Sequence, residues 1–149
     1  MYVCTDTALV LPQPYGCEIA PDGKFALVAD SSNNRIRRID LATNRVTTVA
    51  GSTSGFKDDT GTKALFKYPT SLTISGDGKV AYISDNNNLK IRKLDLATTA
   101  VSTIAGTGSS GNIDGIGEVA KFNYANGLCF VNSSAGDGPF LLVAGSGNQ

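Results

Sequence analysis

The chain is built from a repeated segment. At an offset of 55 residues, PDGKFALVADSSNNRIRRIDLATNRVTTVAG aligns with SGDGKVAYISDNNNLKIRKLDLATTAVSTIAG, which starts at Ser75. Self-similarity at a fixed period is the sequence signature of a repeat architecture. A third copy opens at YANGLCFV, and the sequence reaches Gln149 part way through it. Any fold therefore has to be assembled from about two and a half copies of one unit.

Each unit contains four short apolar or alternating runs separated by turn residues. In the first unit the runs are GCEIA, FALVAD, RIRRID and RVTTVAG, joined by PDGK, SSNN and DLATN. An alternation of period two predicts β-strands, and Gly, Asn and Asp between the runs are typical of tight turns. Four antiparallel strands repeated about every 40 to 50 residues form a propeller blade. The predicted fold class is all-β, with β-propeller blades of four antiparallel strands in an incomplete propeller.

The repeat also predicts the domain organisation, a single partial propeller over 1–149. Blade units are expected at about 14–51, 69–106 and 125–149, the last truncated, with 52–68 and 107–124 as inter-blade loops. Propellers close with about four to eight blades. We therefore expect that missing blades of a longer protein, or self-association, are needed to close the ring.

The first unit resembles the NHL repeat. That repeat reads roughly as a Pro, a Gly-led apolar strand, a DG turn, an apolar strand ending in Ala-Asp, and Asn-Arg-Ile, which PYGCEIAPDGKFALVADSSNNRIRRID matches. The second unit departs from it at Ser71 and at Leu89-Lys90-Ile91, and the third has Gly145 in place of the turn Asp. The resemblance implies a non-catalytic binding or scaffolding surface, first for another protein and second for a glycan.

The composition excludes a strong electrostatic partner. Thirteen Lys and Arg balance thirteen Asp and Glu, so no net field attracts nucleic acid or an anionic membrane. No stretch approaches 18 apolar residues, and the first residues lack the basic segment of a signal peptide. No transmembrane segment is predicted, and the cellular compartment stays open.

Basic residues recur on the third strand of each complete unit. They form the candidate interaction surface, comprising Arg35, Arg37, Arg38, Lys90, Arg92 and Lys93. Some NHL propellers of the tripartite-motif family bind RNA through a basic face, so the resemblance makes RNA a third hypothesis. The zero net charge and the lack of interleaved aromatic residues argue against it. The alternative is a solvated outer strand whose Arg pairs with the turn Asp of its own blade.

Catalysis has little support in the sequence. The chain contains no histidine, the usual general base and a common metal ligand. Related propeller enzymes, such as amidating lyases and lactonases, hold a metal at the central channel, and a fragment of such an enzyme is the second hypothesis. Glu18 on the innermost strand has Thr73 and Cys129 as its equivalents, so no carboxylate cluster repeats there. We predict no catalytic residue.

No cofactor or metal is predicted from the turns and loops either. Asp30 and Asp85 each precede an Asn-rich turn, where a single carboxylate is better suited to capping than to calcium. GTGSSG at 106–111 matches the dinucleotide pattern but is not followed by a helix. The loop acids recur at an offset of 56 and are expected to hold the crossing between blades; they are Asp58, Asp59 and Asp114.

Three further expectations concern single residues. Cys4, Cys17 and Cys129 lack metal-site spacing and are interpreted as small buried side chains, with their disulfide state open. Asn132 opens a glycosylation sequon, Asn-Ser-Ser, which has meaning only in an exported protein. The innermost strands are expected to place three apolar side chains between blades, namely Ile19, Ile74 and Phe130.

Overall fold

A computed structural model describes residues 13–132 and 138–146, which form three antiparallel sheets. The first sheet consists of β1 (Pro14–Ile19), β2 (Phe25–Asp30), β3 (Arg35–Asp40) and β4 (Val46–Gly51). The second consists of β5 (Pro69–Ile74), β6 (Val80–Asp85), β7 (Lys90–Asp95) and β8 (Val101–Ala105). The third consists of β9 (Tyr124–Val131) and β10 (Phe140–Ser146).

The strands of each four-stranded sheet follow one another in chain order, as in a propeller blade. The predicted all-β fold class is confirmed, and the sheets do not close into a ring. Whether the units drawn on the sequence form one domain stays a prediction. Among the described residues, no helix has the length and apolar character needed to cross a bilayer.

The turns that join the strands repeat their hydrogen bonds from blade to blade. Asp40 accepts from the amides of the next turn, including Thr43 N at 2.8 Å, and Asp95 does the same with Thr98 N at 2.8 Å. After β2, the carboxylate of Asp30 accepts from Asn33 Nδ2 at 3.0 Å. Asp40 and Asp95 thus satisfy backbone amides that no strand pairs. The expectation that Asp30 and Asp85 cap their own turns is wrong, because neither side chain bonds a backbone amide of the turn that follows it.

The first strands of the three sheets lie side by side. β1 contacts β5, and β5 contacts β9, so these strands form the innermost layer of the fold. Gly16 is required where β1 approaches β5, because an added Cβ would lie 2.8 Å from the Thr70 carbonyl oxygen. On the other side, the amides of Leu128 and Phe130 donate to the hydroxyl groups of Ser71 and Thr73.

The apolar core lies between the first two sheets. It contains Phe25, Leu27, Ala29, Ile36, Ala50, Phe66, Leu72, Ile74, Ile83 and Leu94. Ile74 is 3% exposed, as predicted, and Phe130 is partly buried and stacks on Tyr82 with ring centroids 5.7 Å apart. The expectation for Ile19 is wrong, because its side chain is 58% exposed. Ile74 packs against the first sheet, whereas none of the described sheets covers the face of β1 that carries Ile19.

Candidate functional site

The six basic residues of the candidate interaction surface do not share one exposed face. Arg92 is fully buried and Lys90 is 8% exposed. Lys90 Nζ donates to the Gly106 carbonyl at 2.9 Å, which ties β7 to the end of the blade. Neither of these two side chains is available at the surface, because both are held by contacts of the second blade and of the loop before it. A binding role for the other four stays a prediction.

Arg92 connects the second blade to the loop that precedes it. Its guanidinium donates to Asp85 at 2.6 Å and to Asp58 at 2.6 and 3.1 Å. Two further bonds reach the carbonyl oxygens of Lys57 and Leu65, at 2.9 and 3.1 Å. Asp58 also accepts from the amide of Thr103 on β8, so it fastens the loop to the second blade. A role in holding the two blades together stays a prediction. The guanidinium also lies over two phenylalanine rings, those of Phe56 and Phe66.

The first blade has a weaker version of this arrangement. Arg37 is the equivalent of Arg92, and its Nη1 lies 3.6 Å from the buried carboxylate of Asp30. Its Nε is buried and has no hydrogen-bond partner among the described residues. Both arginines therefore pair with the turn Asp of their own blade, as the alternative interpretation predicted, although in the second blade the strand is not solvated.

The remaining basic residues lie on partly exposed positions. Arg38 covers the Phe25 ring at 3.6 Å from its centroid, while Arg35 and Lys93 are half-buried. A cation over a ring protects apolar surface from water, so Arg38 already has a structural partner. The structure thus divides the basic set between packing and surface positions.

Burial and ion pairing act in opposite directions on Asp85. Burial raises the pKa of this carboxyl group above the ordinary value of an Asp, whereas hydrogen bonds from Asn88 and the Lys67 amide and the charge of Arg92 lower it. Removal of Arg92 would therefore raise the pKa of Asp85 further. Arg92 therefore opposes the effect of burial on the pKa of Asp85, and its contacts serve the fold.

The innermost strands do not bring together a group of catalytic or metal-binding side chains among the described residues. Thr73, the equivalent of Glu18, uses its hydroxyl to accept from a β9 amide. Among the described residues, no group of three His, Cys, Asp or Glu side chains could hold a metal ion.

Cys17 and Cys129 are exposed free thiols, so their interpretation as buried side chains was wrong. Both lie on strands at sheet edges, and Cys4 lies outside the described residues.

The loop motifs give no site. The residues after GTGSSG form only a three-residue 3-10 turn, Gly117–Val119, rather than a helix that could present its N-terminus to a phosphate. Asn132 is exposed, and its side-chain amide lies against Gly76, where an added Cβ would clash with it. Ser133 and Ser134 of the sequon lie outside the described residues. Glycosylation of Asn132 stays a prediction.

A cleft at the beginning of the innermost strands gathers polar side chains from all three sheets. This strand-start cleft has a volume of about 630 Å³. It is lined by Tyr15, Gly16, Tyr68, Thr70, Ser71, Asn86 and Asn126. Tyr15, Thr70 and Asn126 occupy the same repeat position, so each blade contributes one residue of the same register. No pattern within a single repeat unit marks these positions, so the sequence analysis missed the cleft.

Two tyrosines form one wall of the strand-start cleft. Their rings meet edge to face, with centroids 5.6 Å apart, and Tyr68 Oη donates to Tyr15 Oη at 3.2 Å. Tyr68 has a positive φ of 56°, and its amide donates to Asn34 Oδ1 of the first blade at 2.9 Å. The hydrogen bond with Tyr15 raises the pKa of Tyr68, so this phenol stays neutral at physiological pH.

The opposite wall contains amides and hydroxyl groups. Asn86 Nδ2 donates to Asn126 Oδ1 at 3.2 Å, and Asn126 Nδ2 donates to Ser146 Oγ at 2.7 Å. Thr70 and Asn86 are 9% and 8% exposed, and Thr70 Oγ1 and Asn86 Oδ1 are buried without a hydrogen-bond partner in the described part of the chain. Both oxygens lie just beneath the surface of the cleft, so a ligand that reaches them gains hydrogen bonds that no described residue supplies. The lining has no carboxylate, imidazole or amine for acid–base chemistry.

Comparisons with known proteins give two kinds of relative. No protein-family model matches the chain. It is 34% identical over 146 residues to the Arabidopsis thaliana protein SUPPRESSOR OF QUENCHING 1, chloroplastic, covering 92% of this chain. It is 33% identical over 96 residues to NHL repeat-containing protein 2 of Homo sapiens, covering 63% of this chain. In both cases the chain spans 13% of the relative's length.

Solved structures resemble the chain over most of its length. A Bacteroides thetaiotaomicron structural genomics protein of unknown function has a TM-score of 0.70 at 28% identity, over 81% of this chain and 30% of its own. An auxiliary nutrient binding protein from the same organism has a TM-score of 0.64 at 26% identity, over 84% of this chain and 33% of its own. The chain thus corresponds to about a third of each structure.

Proposed function

We propose, from the premise that the chain belongs to the NHL-repeat family of β-propeller proteins, that it is a non-catalytic binding module whose ligand site is the strand-start cleft. The cleft lies where the innermost strands of three sheets begin, so one ligand can contact all three. Ligand sites of repeat proteins are commonly built in this way, from equivalent positions of successive units.

The observation that carries this proposal is the pair of unpaired oxygens in the strand-start cleft. Burying a hydroxyl or amide oxygen without a hydrogen bond costs about 1 to 3 kcal/mol. Thr70 Oγ1 and Asn86 Oδ1 both carry that cost among the described residues, and both belong to the lining of one cleft. An incoming donor would satisfy them, and this explains why polar residues stand at these positions.

Two further findings support binding over catalysis. One similar solved structure is named an auxiliary nutrient binding protein, and its identity to this chain is 26%. The lining of the cleft offers neither a nucleophile with an adjacent base nor a carboxylate pair.

RNA binding loses support because Lys90 and Arg92 are buried. A protein partner, the first expectation from the sequence, is one arm of the test.

The test uses Thr70→Val, which removes the unpaired hydroxyl while keeping the shape of the side chain. Saturation-transfer NMR would screen neutral disaccharides, uncharged capped peptides and nucleoside monophosphates against the 149-residue chain. We expect one class to bind, with affinity lost in Thr70→Val and kept in the control Thr47→Val on β4. Thr70→Val should leave the free energy of unfolding unchanged or higher, because no hydrogen bond is lost.

Two results would contradict the proposal. One is binding that Thr70→Val and Thr47→Val leave equally strong, since the contact would then lie outside the strand-start cleft. The other is the absence of binding by all three classes. A marked loss of stability in Thr70→Val would mean that its hydroxyl is paired in solution and would remove the main support.

A further inference from the structure

We infer that the strand-start cleft binds a neutral, polyhydroxylated ligand, that is, an uncharged carbohydrate. This inference rests on the proposed function and names the chemical class of its ligand. Uncharged sugars present vicinal hydroxyl groups and an apolar C–H face on one small molecule. Four properties of the strand-start cleft match such a ligand. They are its charge, its hydrogen-bonding capacity, its aromatic wall and its size.

The charge of the cleft favours an uncharged ligand. Its lining contains no Asp, Glu, Lys or Arg. The phenol of Tyr68 remains protonated because its hydrogen bond with Tyr15 raises its pKa. A phosphate or carboxylate ligand would lose its hydration without gaining a counter-charge, which is unfavourable. Nucleotides, phosphopeptides and sugar acids are therefore poor candidates.

The unpaired oxygens favour a ligand with hydroxyl groups over a ligand that offers only hydrogen-bond donors. A threonine hydroxyl both donates and accepts, whereas an amide oxygen only accepts. Thr70 Oγ1 and Asn86 Oδ1 thus require at least one donor and can use one acceptor. A pair of neighbouring sugar hydroxyls supplies both functions. An extended peptide supplies a donor and an acceptor as well, but as separate backbone groups on a longer chain.

The aromatic wall supplies an apolar surface beside these polar groups. The side chain of Tyr15 is 62% exposed, and its edge-to-face contact with Tyr68 holds the ring in place. Tyrosine combines an apolar ring with a polar tip. The C–H face of a sugar ring can pack on the exposed Tyr15 ring while its hydroxyl groups reach the amides and hydroxyls opposite.

The size of the cleft fits a small molecule. Small-ligand sites have volumes of roughly 300 to 1,000 Å³, and the cleft has about 630 Å³. A folded protein partner that bound stably would need roughly 1,000 Å² or more of buried area. The cleft is thus sized for one or two sugar rings or for a few residues of peptide, and the experiment separates these two.

The experiment measures binding of maltose, cellobiose and N,N′-diacetylchitobiose to the full chain by isothermal titration calorimetry. An acetylated and amidated Gly-Ser peptide and glucuronic acid serve as the uncharged-peptide and charged-sugar arms. We expect at least one neutral disaccharide to bind and both other arms to fail. Tyr15→Ala should weaken that binding about three- to tenfold, and Thr70→Val about tenfold.

Two further variants separate ring packing from general damage. Tyr15→Phe keeps the ring and should retain affinity within about threefold. Phe140→Ala removes an exposed aromatic ring that pairs with Val131 at the last residue of β9, away from the strand starts, and should change nothing. Thermal melting of each variant checks that the fold is intact.

The outcomes distinguish this inference from the proposed function. If the capped peptide binds and Thr70→Val weakens it while no sugar binds, the carbohydrate inference is wrong and the proposed function stands. If no neutral sugar binds at about 10 mM, the inference is overturned whatever the peptide does. If a sugar binds equally well to wild type, Tyr15→Ala and Thr70→Val, both the inference and the proposed site fall.

Discussion

Replacing Arg92 by Met tests whether this buried arginine holds the second blade to the loop before it. Met fills much of the volume of the Arg stem but has no donor and no charge. The change removes five hydrogen bonds, to two carboxylates and two backbone carbonyls. It leaves Asp85, whose side chain is 0% exposed, with only Asn88 and the Lys67 amide as partners among the described residues.

The expected loss of stability follows from that burial. Removing one partner of a buried ion pair costs about 3 to 5 kcal/mol, because an uncompensated charge is left inside. Asp58 adds little to this figure, since its side chain is 41% exposed and can return to water. A loss of about 3 to 5 kcal/mol lowers the ratio of folded to unfolded chain by about two to four orders of magnitude.

The assay is urea unfolding of the full chain by circular dichroism, with Arg37→Met as the matched control in the first blade. Arg37 has one ion pair at 3.6 Å, and its Nε is already unpaired. Its loss should cost less than the loss of Arg92, because the ion pair is longer, no bonds to carbonyl groups are lost and Asp30 keeps both bonds from Asn33. Equal costs for the two variants, or a cost below about 1.5 kcal/mol for Arg92→Met, would refute the reasoning.

The pH dependence of Arg92→Met gives a second readout. Burial raises the folded-state pKa of Asp85, and loss of Arg92 raises it further. A carboxyl group with a raised folded-state pKa destabilises the fold above that pKa, and the penalty disappears as the pH falls towards the unfolded-state value. The deficit of Arg92→Met relative to wild type should therefore shrink on acidification. A deficit independent of pH would indicate lost packing instead.

Two further predictions concern the core and the turns. Ile74→Ala should cost about 2 to 5 kcal/mol in urea unfolding, and Ile19→Ala, at the equivalent but exposed position, should stay within about 0.5 kcal/mol; equal effects would contradict the described packing. Thr43→Ala should raise the depressed pKa of Asp40 towards 3.8, because it removes the largest cause of the depression. A lowered carboxyl pKa stabilises the fold at higher pH, and that stability is lost on acidification. Wild type should therefore lose more stability in acid than Thr43→Ala. An Asp40 pKa that NMR titration finds unchanged in the variant would contradict this prediction.

The strands and turns could be predicted because local chemistry determines them. Alternating apolar residues and Asp, Asn and Gly at the turns act within a few positions of each other, and the repeat presents each signal twice. Asp40 and Asp95 accept from amides only three positions further along the chain. For the same reason, Arg37 and Arg92 could be paired with the turn Asp of their own blade.

Burial and the cleft could not be predicted because they depend on neighbouring blades. Arg35 and Lys90 occupy equivalent positions, yet Lys90 is 8% exposed, with its Nζ 4.9 Å from the ring centroid of Phe56 in the loop between the blades, while Arg35 is half-buried. Ile19 and Ile74 also share a repeat position and differ only in whether a sheet covers them. The cleft combines residues from three sheets, and no single unit of the sequence contains it.

The contacts of the loop at 52–68 make it part of the blade that follows it. Asp58 bonds to Arg92, the Val101 amide donates to the Asp59 carbonyl, and the Gly61 amide donates to the Thr99 carbonyl. A segment duplicated or exchanged between such proteins would therefore have to begin within this loop to arrive with its own arginine partner. A segment that began at Pro69 would carry a buried charge with no Asp58 to meet it. The segment that contains both Arg92 and its partners is thus offset from the visible blade, and it begins in the loop before Asp58.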